Sequence, residues 1–275
     1  MSESNAAQRE AWERQVGAKW VANVDAMERR LAPVTEVLLA QAAPRLGERV
    51  LDVGCGPGSL AALIEDIVRS RVVGVDISET MLAVAAKRVP HGVELVRADA
   101  QAHAFAPPFF DLVVSRFGVM FFEEPVAAFR NLRRAMVPGG RLCFAAWAPL
   151  AENPHWSIPI DIATRHAGPR EAGDPRAPGP LAFSDEGYVR GILEGAGFGG
   201  VAVERARVEL PGGVAHVEAE FSLAVGPAAA LVEERGAGPD VRAAIAREVA
   251  EAFRSYETNG ACALPATILL VTASS

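Results

Sequence analysis

Val50-Leu51-Asp52-Val53-Gly54-Cys55-Gly56-Pro57-Gly58-Ser59 decides how this chain folds. A short apolar run holding one acid breaks into three glycines at alternating positions, and Leu60-Ala61-Ala62-Leu63-Ile64 follows at once with helical character. That order reads as strand, tight turn and helix. Glycine at every second position frees the backbone for positive φ and removes the Cβ atoms that would keep a ligand away. The turn is therefore expected to press main-chain amides against a bound molecule at a helix N-terminus.

The spacing narrows the choice of ligand. A dinucleotide-binding turn carries glycine at its first, third and sixth positions, and the sixth position counted from Gly54 is Ser59. Asp52 stands where a pyrophosphate-binding loop usually has an apolar residue. An anion there repels phosphate and suits a ligand bearing an ammonium group and a sulfonium. Val72-Val73-Gly74-Val75-Asp76 is a second apolar strand ending in an acid, 24 residues after Asp52. An acid at that strand tip accepts hydrogen bonds from ribose hydroxyls. Ile77 to Leu82 opens a helix that Ser78 can cap. Val93 to Ala100 forms a third strand with Asp99 at its end, and Phe110 to Ser115 a fourth. Strands whose carboxyl ends carry polar groups describe an α/β, doubly wound sheet with one ligand crevice.

Taken together, these motifs resemble the class I S-adenosylmethionine-dependent methyltransferases. The Asp76-Ile77-Ser78 to Met81-Leu82 stretch and Pro138-Gly139-Gly140 are most similar to the small-molecule branch (methyltransferase type 11), which includes quinone-biosynthesis C-methyltransferases. The resemblance implies a Rossmann-like sheet of seven mostly parallel strands, with S-adenosyl-L-methionine as cofactor. It implies that Asp52 helps hold the amino acid end of the cofactor, while Gly54, Cys55, Gly56 and Gly58 lie along its methionine and ribose. It gives Asp76 to the ribose, Ile77 and Met81 to the faces of the adenine, Asp99 to the exocyclic amine and the Ala100 amide to the ring. Ser115 falls beside the methionine end, and Phe117, just beyond it, is a candidate for binding the acceptor. Met81 suits an ordinary helix-on-sheet core equally well.

The rest of the chain extends the same plan. Pro125 to Val137 is an amphipathic helix that stops at Pro138-Gly139-Gly140, and Arg141 to Trp147 is a fifth strand. A helix from Ser184 leads to a sixth strand at Val201 to Val208, and Thr267 to Thr272 is the last strand. We read 1–275 as a single methyltransferase domain, with 1–30 a helical lid, 45–148 the cofactor-binding core, 149–183 a substrate-side loop and 211–262 a helical insertion before the last strand. Trp12, Val16, Trp20 and Val24 recur every four residues and share one helix face. Such a face, Trp20 in particular, can lie against a sulfonium by cation–π attraction, or it can simply pack on the side of the domain. The proline- and glycine-rich 149–183 stretch offers His155, Trp156 and His166 for the acceptor pocket, and Tyr188 follows it. The insertion reads as two helices, Ala219 to Glu234 and Val241 to Tyr256, forming a cap or the face of a homo-oligomer.

Composition limits the partners. Half of the 275 residues are hydrophobic, enough for one large core, and the formal net charge is −7. That balance argues against a nucleic-acid backbone as partner. The polar start, Met1-Ser2-Glu3-Ser4-Asn5, is unlike a signal peptide and no apolar run reaches the length of a membrane span, so a cytoplasmic protein without a membrane partner is expected. Cys55, Cys143 and Cys262 lack ligand spacing, so neither a disulfide framework nor a metal site is expected. Methyl transfer from a sulfonium needs alignment more than side-chain chemistry. The five histidines show no acid partner at a telling spacing, so no catalytic base is named. The reading is a methyltransferase for a small organic acceptor. The alternatives are a non-catalytic module that binds the same cofactor and, less well matched because of Ser59 and Asp52, a nicotinamide-dependent oxidoreductase.

Overall fold

The computed structural model describes residues 5–105, 108–169 and 173–275. Its sheet is built on β1 (Val50–Val53), β2 (Val72–Asp76), β3 (Val93–Arg97), β4 (Phe110–Arg116) and β5 (Met136–Trp147), with β6 (Gly199–Pro211) and β8 (Ala261–Ser274) completing it. β7 (Glu257–Thr258) forms a short hairpin with β8. The strand order is β3-β2-β1-β4-β5-β8-β6. β1 to β5 pair in parallel, and β8 inserts antiparallel between β5 and β6. This is the expected doubly wound, seven-stranded, mostly parallel architecture.

The chain order explains where the ligand crevice falls. The crossover from β1 through α4 (Ser59–Val68) to β2 steps one way along the sheet, and that from β4 through α6 (Pro125–Ala135) to β5 steps the other. Right-handed crossovers in opposite directions put those helices on opposite faces. Between β1 and β4 the strand order reverses, and the crevice opens at their carboxyl ends. β1 is buried along its whole length, as the centre of a two-sided sheet requires. α5 (Glu79–Ala85) follows β2 and α8 (Glu186–Gly195) leads into β6, while α3 (Val24–Ala42) packs along β4, β5 and β6.

Three expectations change. The N-terminal pattern is not one helix but α1 (Ala6–Glu13), α2 (Gln15–Ala22) and α3, broken at Arg14 and Asn23. Within the expected 149–183 loop, α7 (Pro154–Ala167) is a helix. Its prolines read as breakers in sequence, yet Pro154 sits in the first turn, where proline lacks only an N–H that has no helical partner anyway. Residues 170–172 of that stretch lie outside the described residues. The insertion holds three helices, α9 (Ala215–Ala224), α10 (Pro227–Glu234) and α11 (Pro239–Phe253), because Gly226, at φ +109°, and Pro227 split the first expected helix. Ile162, Leu231, Ile245, Val249 and Phe253 give these helices and α7 a small core of their own beside the main one. Among the described residues no helix is long and apolar enough to cross a membrane.

Candidate active site

Backbone meets backbone at the glycine turn. Gly54 has φ +69°, and a Cβ built on it would stand 2.6 Å from the Gly118 Cα. A Cβ on Gly118 would in turn be 2.4 Å from the Val53 carbonyl oxygen. The turn after β1 and the turn after β4 therefore touch only because both residues are glycine. The turn's amides are not open to a ligand in the way the sequence led us to expect. The Gly54 and Cys55 N–H groups donate to the Val75 carbonyl at 2.8 and 3.1 Å, and the Gly58 N–H to the Cys55 carbonyl at 2.9 Å. The Gly56 N–H donates to Asp76 Oδ2 at 2.8 Å. Glycine here serves close approach, and the polar groups left for a ligand are carboxylates.

Three acids edge the crevice. The register pairs Asp52 with Gly74 and Asp76 with Arg97, so Asp52, Asp76 and Asp99 belong to the ends of three adjacent strands. Neighbouring strands lie about 4.8 Å apart, and the row of three spans roughly 10 Å, the scale of a nucleoside with its ribose. Asp52 is 1% exposed, and its Oδ2 is buried with no hydrogen-bond partner. Burial pushes its carboxyl up to about 7, against the pull of the Arg116 guanidinium, while Asp76 and Glu28 push it further the same way. Asp76 Oδ1 accepts from the Ser78 N–H at 2.9 Å. Burial raises this carboxyl too, opposed by the N–H groups of Ser78 and Gly56. Asp99 Oδ1 accepts from the Gln101 N–H at 2.9 Å, while its Oδ2 is buried and unpartnered.

Buried acceptors are normally bonded. Two unpartnered carboxylate oxygens, one near the end of β1 and one just past the end of β3 with Asp76 between them, match a ligand with a cation at one end and an amine donor at the other. The acids, the glycine cradle and Met81, whose methyl would lie 3.2 Å from a Cβ on Gly56, thus fit S-adenosyl-L-methionine. Ile77, half-buried, follows directly on Asp76.

Several expected residues have other duties. Ser115 is fully buried; its hydroxyl donates to the Val53 carbonyl at 2.7 Å and accepts from the Gly118 and Val119 N–H groups at 3.0 and 3.3 Å. It shapes the turn and has no hydrogen left to offer a ligand. The Cys55 side chain is buried against Gly74, and burial holds its thiol well above the usual range. The Ala100 carbonyl accepts from Asn131 Nδ2 at 3.0 Å, which fixes this residue but leaves the part expected of its N–H untouched. His166 lies on the outside, 2.8 Å from Glu248, and takes no part in the crevice. The Tyr188 ring meets Phe183 at 6.3 Å and the Arg176 guanidinium at 4.5 Å, rather than the aromatic group described next.

That group stands at the carboxyl ends of β4 and β5. Phe117, adjacent to Gly118, stacks on Trp147 at 4.3 Å with the planes 6° apart. Trp147 in turn meets His155 at 5.1 Å and Trp156 at 4.8 Å. Phe117 has φ +68°, a left-handed conformation that costs a side-chain-bearing residue about 1–2 kcal/mol and marks functional turns. Both nitrogens of His155 are buried and neither makes a full hydrogen bond, the Pro265 backbone being the polar group that faces the ring; burial together with the Arg30 charge outweighs that group and lowers its pKa to about 3, so the ring is neutral.

The sequence did not single out the charges that tie this edge together. Arg116 donates to Glu28 Oε1 at 2.6 Å and to Thr35 Oγ1 at 2.7 Å, fastening the tip of β4 to α3. Arg30 pairs with Glu218, joining α3 to α9, and both are almost wholly buried. Nothing in their spacing marks them, because their partners lie 81 to 188 residues away. The N-terminal helices lie over the same edge. Ser78 Oγ donates to the Trp12 carbonyl at 3.0 Å, and Trp12 meets Phe121 edge-on at 5.2 Å and Trp20 at 6.4 Å.

Sheet order, glycine turn and strand-tip acids define a class I methyltransferase fold. Comparison with known proteins agrees. The methyltransferase domain family matches residues 51–144. The ubiquinone/menaquinone biosynthesis C-methyltransferase UbiE of Yersinia pestis bv. Antiqua is 30% identical over 194 residues, covering 64% of this chain and 75% of that protein. The malonyl-[acyl-carrier protein] O-methyltransferase of Enterobacter lignolyticus is 34% identical over 141 residues, 47% of this chain and 54% of its own length. Among solved structures, the phosphoethanolamine N-methyltransferase 2 of Haemonchus contortus in complex with S-adenosyl-L-methionine shares the fold at a TM-score of 0.54 and 20% identity, covering 88% of this chain and 52% of that one. The chain belongs to the S-adenosylmethionine-dependent methyltransferase family. With several further curated quinone C-methyltransferases it shares only about two fifths of their length.

Proposed function

We propose that the protein binds S-adenosyl-L-methionine across the carboxyl ends of β1, β2 and β3 and transfers its methyl group to a small organic acceptor. The observation that carries this reading is the pair of buried, unpartnered oxygens, Asp52 Oδ2 and Asp99 Oδ2, on either side of Asp76 and the glycine turn. Asp52 would hold the ammonium end, Asp76 the ribose and Asp99 the exocyclic amine of adenine, with Ile77 and Met81 against the ring. When bound, the cofactor supplies an electrophilic methyl group. What the chain contributes is alignment and a water-poor surround. The acceptor side is assigned to Phe117, Trp147, His155 and Trp156, whose aromatic faces suit an apolar or planar acceptor. His155, neutral, offers it a hydrogen-bond acceptor or donor. A cytoplasmic setting without nucleic acid or membrane accords with the net charge of −7.

Incubation with methyl-labelled cofactor and a fractionated metabolite extract tests the proposal. Label should pass to a small molecule. Binding of the cofactor with no labelled product in any fraction would instead make the protein a binding module.

A further inference from the structure

The start of the described chain reaches into the adenine end of the crevice. Asn5 is only 5% exposed although it precedes the first helix, and it has φ +63°, a conformation asparagine tolerates better than most residues. Its Nδ2 donates to Asp99 Oδ1 at 3.1 Å. Its Oδ1 accepts from the Glu123 N–H at 3.1 Å, and its own N–H donates to Glu123 Oε2 at 2.6 Å. One carboxamide thus joins the tip of β3 to the segment after β4, from opposite sides of the strand-order reversal. Asp99 Oδ1 is fully engaged by Asn5 and Gln101, which leaves the buried Oδ2 as the free acceptor. A carboxylate fixed through one oxygen presents the other in a single direction.

We infer that Asn5 is a positioning residue for adenine recognition: by holding Asp99 Oδ1 it aims Oδ2 at an exocyclic amine and couples seating of the N-terminal helices to the choice of base. The inference rests on the reading of Asp99 as the adenine-binding acid. The coupling works in both directions, because an amine on Oδ2 favours the carboxylate orientation that Asn5 grips. Simple packing of α1 on the sheet would affect every nucleoside alike. A positioning role affects most the one that carries the amine.

The test is calorimetric titration of the full-length protein with S-adenosylhomocysteine and with its deaminated analogue S-inosylhomocysteine, comparing the ratio of the two affinities. Asn5→Gly keeps the left-handed backbone and deletes the carboxamide. Asn5→Asp keeps the backbone preference and turns the donor into an anion facing Asp99. Asp99→Asn reports on the underlying reading, and thermal unfolding of each variant confirms a folded protein. The wild type should prefer the adenosyl ligand about tenfold or more, and Asp99→Asn should abolish the preference. Asn5→Gly should lower the ratio about fivefold, the loss of one net hydrogen bond, and Asn5→Asp at least as far. If both ligands weaken equally in Asn5→Gly, or neither changes, while Asp99→Asn abolishes the preference, the positioning role is refuted and the adenine reading stands. Tighter adenosyl binding in Asn5→Gly would refute it as well, by showing that the carboxamide occupies the place of the base. A preference unchanged in Asp99→Asn removes the adenine reading and the inference with it.

Discussion

Replacing Asp52 by asparagine should make the free protein more stable relative to wild type as pH rises, while weakening cofactor binding. The Asp52 carboxyl is pushed from 3.8 to about 7 in the fold, chiefly by burial. Because the folded value is raised, the unfolded chain ionises first. Stability is therefore whole below about pH 4, falls as pH climbs from about 4 to 7, and is flat above. A displacement of roughly three pH units corresponds to about 4 kcal/mol between those limits. Near pH 5 the unfolded chain has already ionised, so about 1.5 kcal/mol of that is already lost, and about 2–3 kcal/mol remains between pH 5 and 8. Asparagine keeps the shape and cannot ionise. The remaining titrating groups are common to both proteins, so the difference in urea-unfolding free energy between variant and wild type, measured from pH 5 to 8, reports Asp52 together with its coupling to Asp76 and Glu28. The difference should grow in favour of Asp52→Asn by about 2–3 kcal/mol over that range. A cationic ligand end favours the carboxylate, so wild-type protein should also release close to one proton on binding S-adenosylmethionine near pH 6, and Asp52→Asn should release none. A stability difference that does not change with pH, or that moves towards wild type as pH rises, would show that Asp52 is already ionised and compensated in the free fold.

Gly54→Ala should lower stability by about 2–4 kcal/mol in denaturant unfolding, since its Cβ would meet the Gly118 Cα at 2.6 Å in a positive-φ turn. Arg30→Met alone should cost about 3–5 kcal/mol by leaving the buried Glu218 charge without its cation, whereas the double change Arg30→Met with Glu218→Leu should recover only part of that loss in the same assay, because the Gly213 N–H then loses its acceptor. Because the His155 pKa is lowered to about 3, its contribution to stability is whole above about pH 6.5 and is lost as pH falls towards 3. His155→Phe should accordingly flatten the acid limb of thermal unfolding measured from pH 7 to 4. Asp76→Ala should weaken cofactor binding in calorimetry by about 1–3 kcal/mol through lost ribose bonds, and unchanged affinity would remove Asp76 from the site.

Local patterns carried much of the fold. The glycine turn after β1, the acids at 52, 76 and 99 and the proline that opens α6 are written within a few residues of each element, so they could be read directly. What escaped reading depended on distant partners or on tolerated exceptions. Pro154 and Pro159 disguised α7 as a loop, although one begins the helix and the other is buried within it. The turn amides were expected to face a ligand, yet β2 is so close that Val75 and Asp76 accept most of them. Ser115 was legible as a strand tip, but not as the hydroxyl that knits two turns together. Asn5, Arg30 and Arg116 carry no local signal, because each gains its role only when helices from the start of the chain come to lie on the strand tips. Trp12 and Trp20 were visible as a repeat, and the structure adds that Trp12 reaches Phe121.

The central claim is that this crevice holds a nucleoside carrying a charged sulfur rather than a pyrophosphate dinucleotide. Titrating the purified chain with S-adenosylmethionine and, separately, with NAD asks this directly. Saturable one-to-one binding of the sulfonium nucleoside is expected, with no heat beyond dilution from the dinucleotide. Binding of NAD, or no binding of S-adenosylmethionine by folded protein, would contradict the claim.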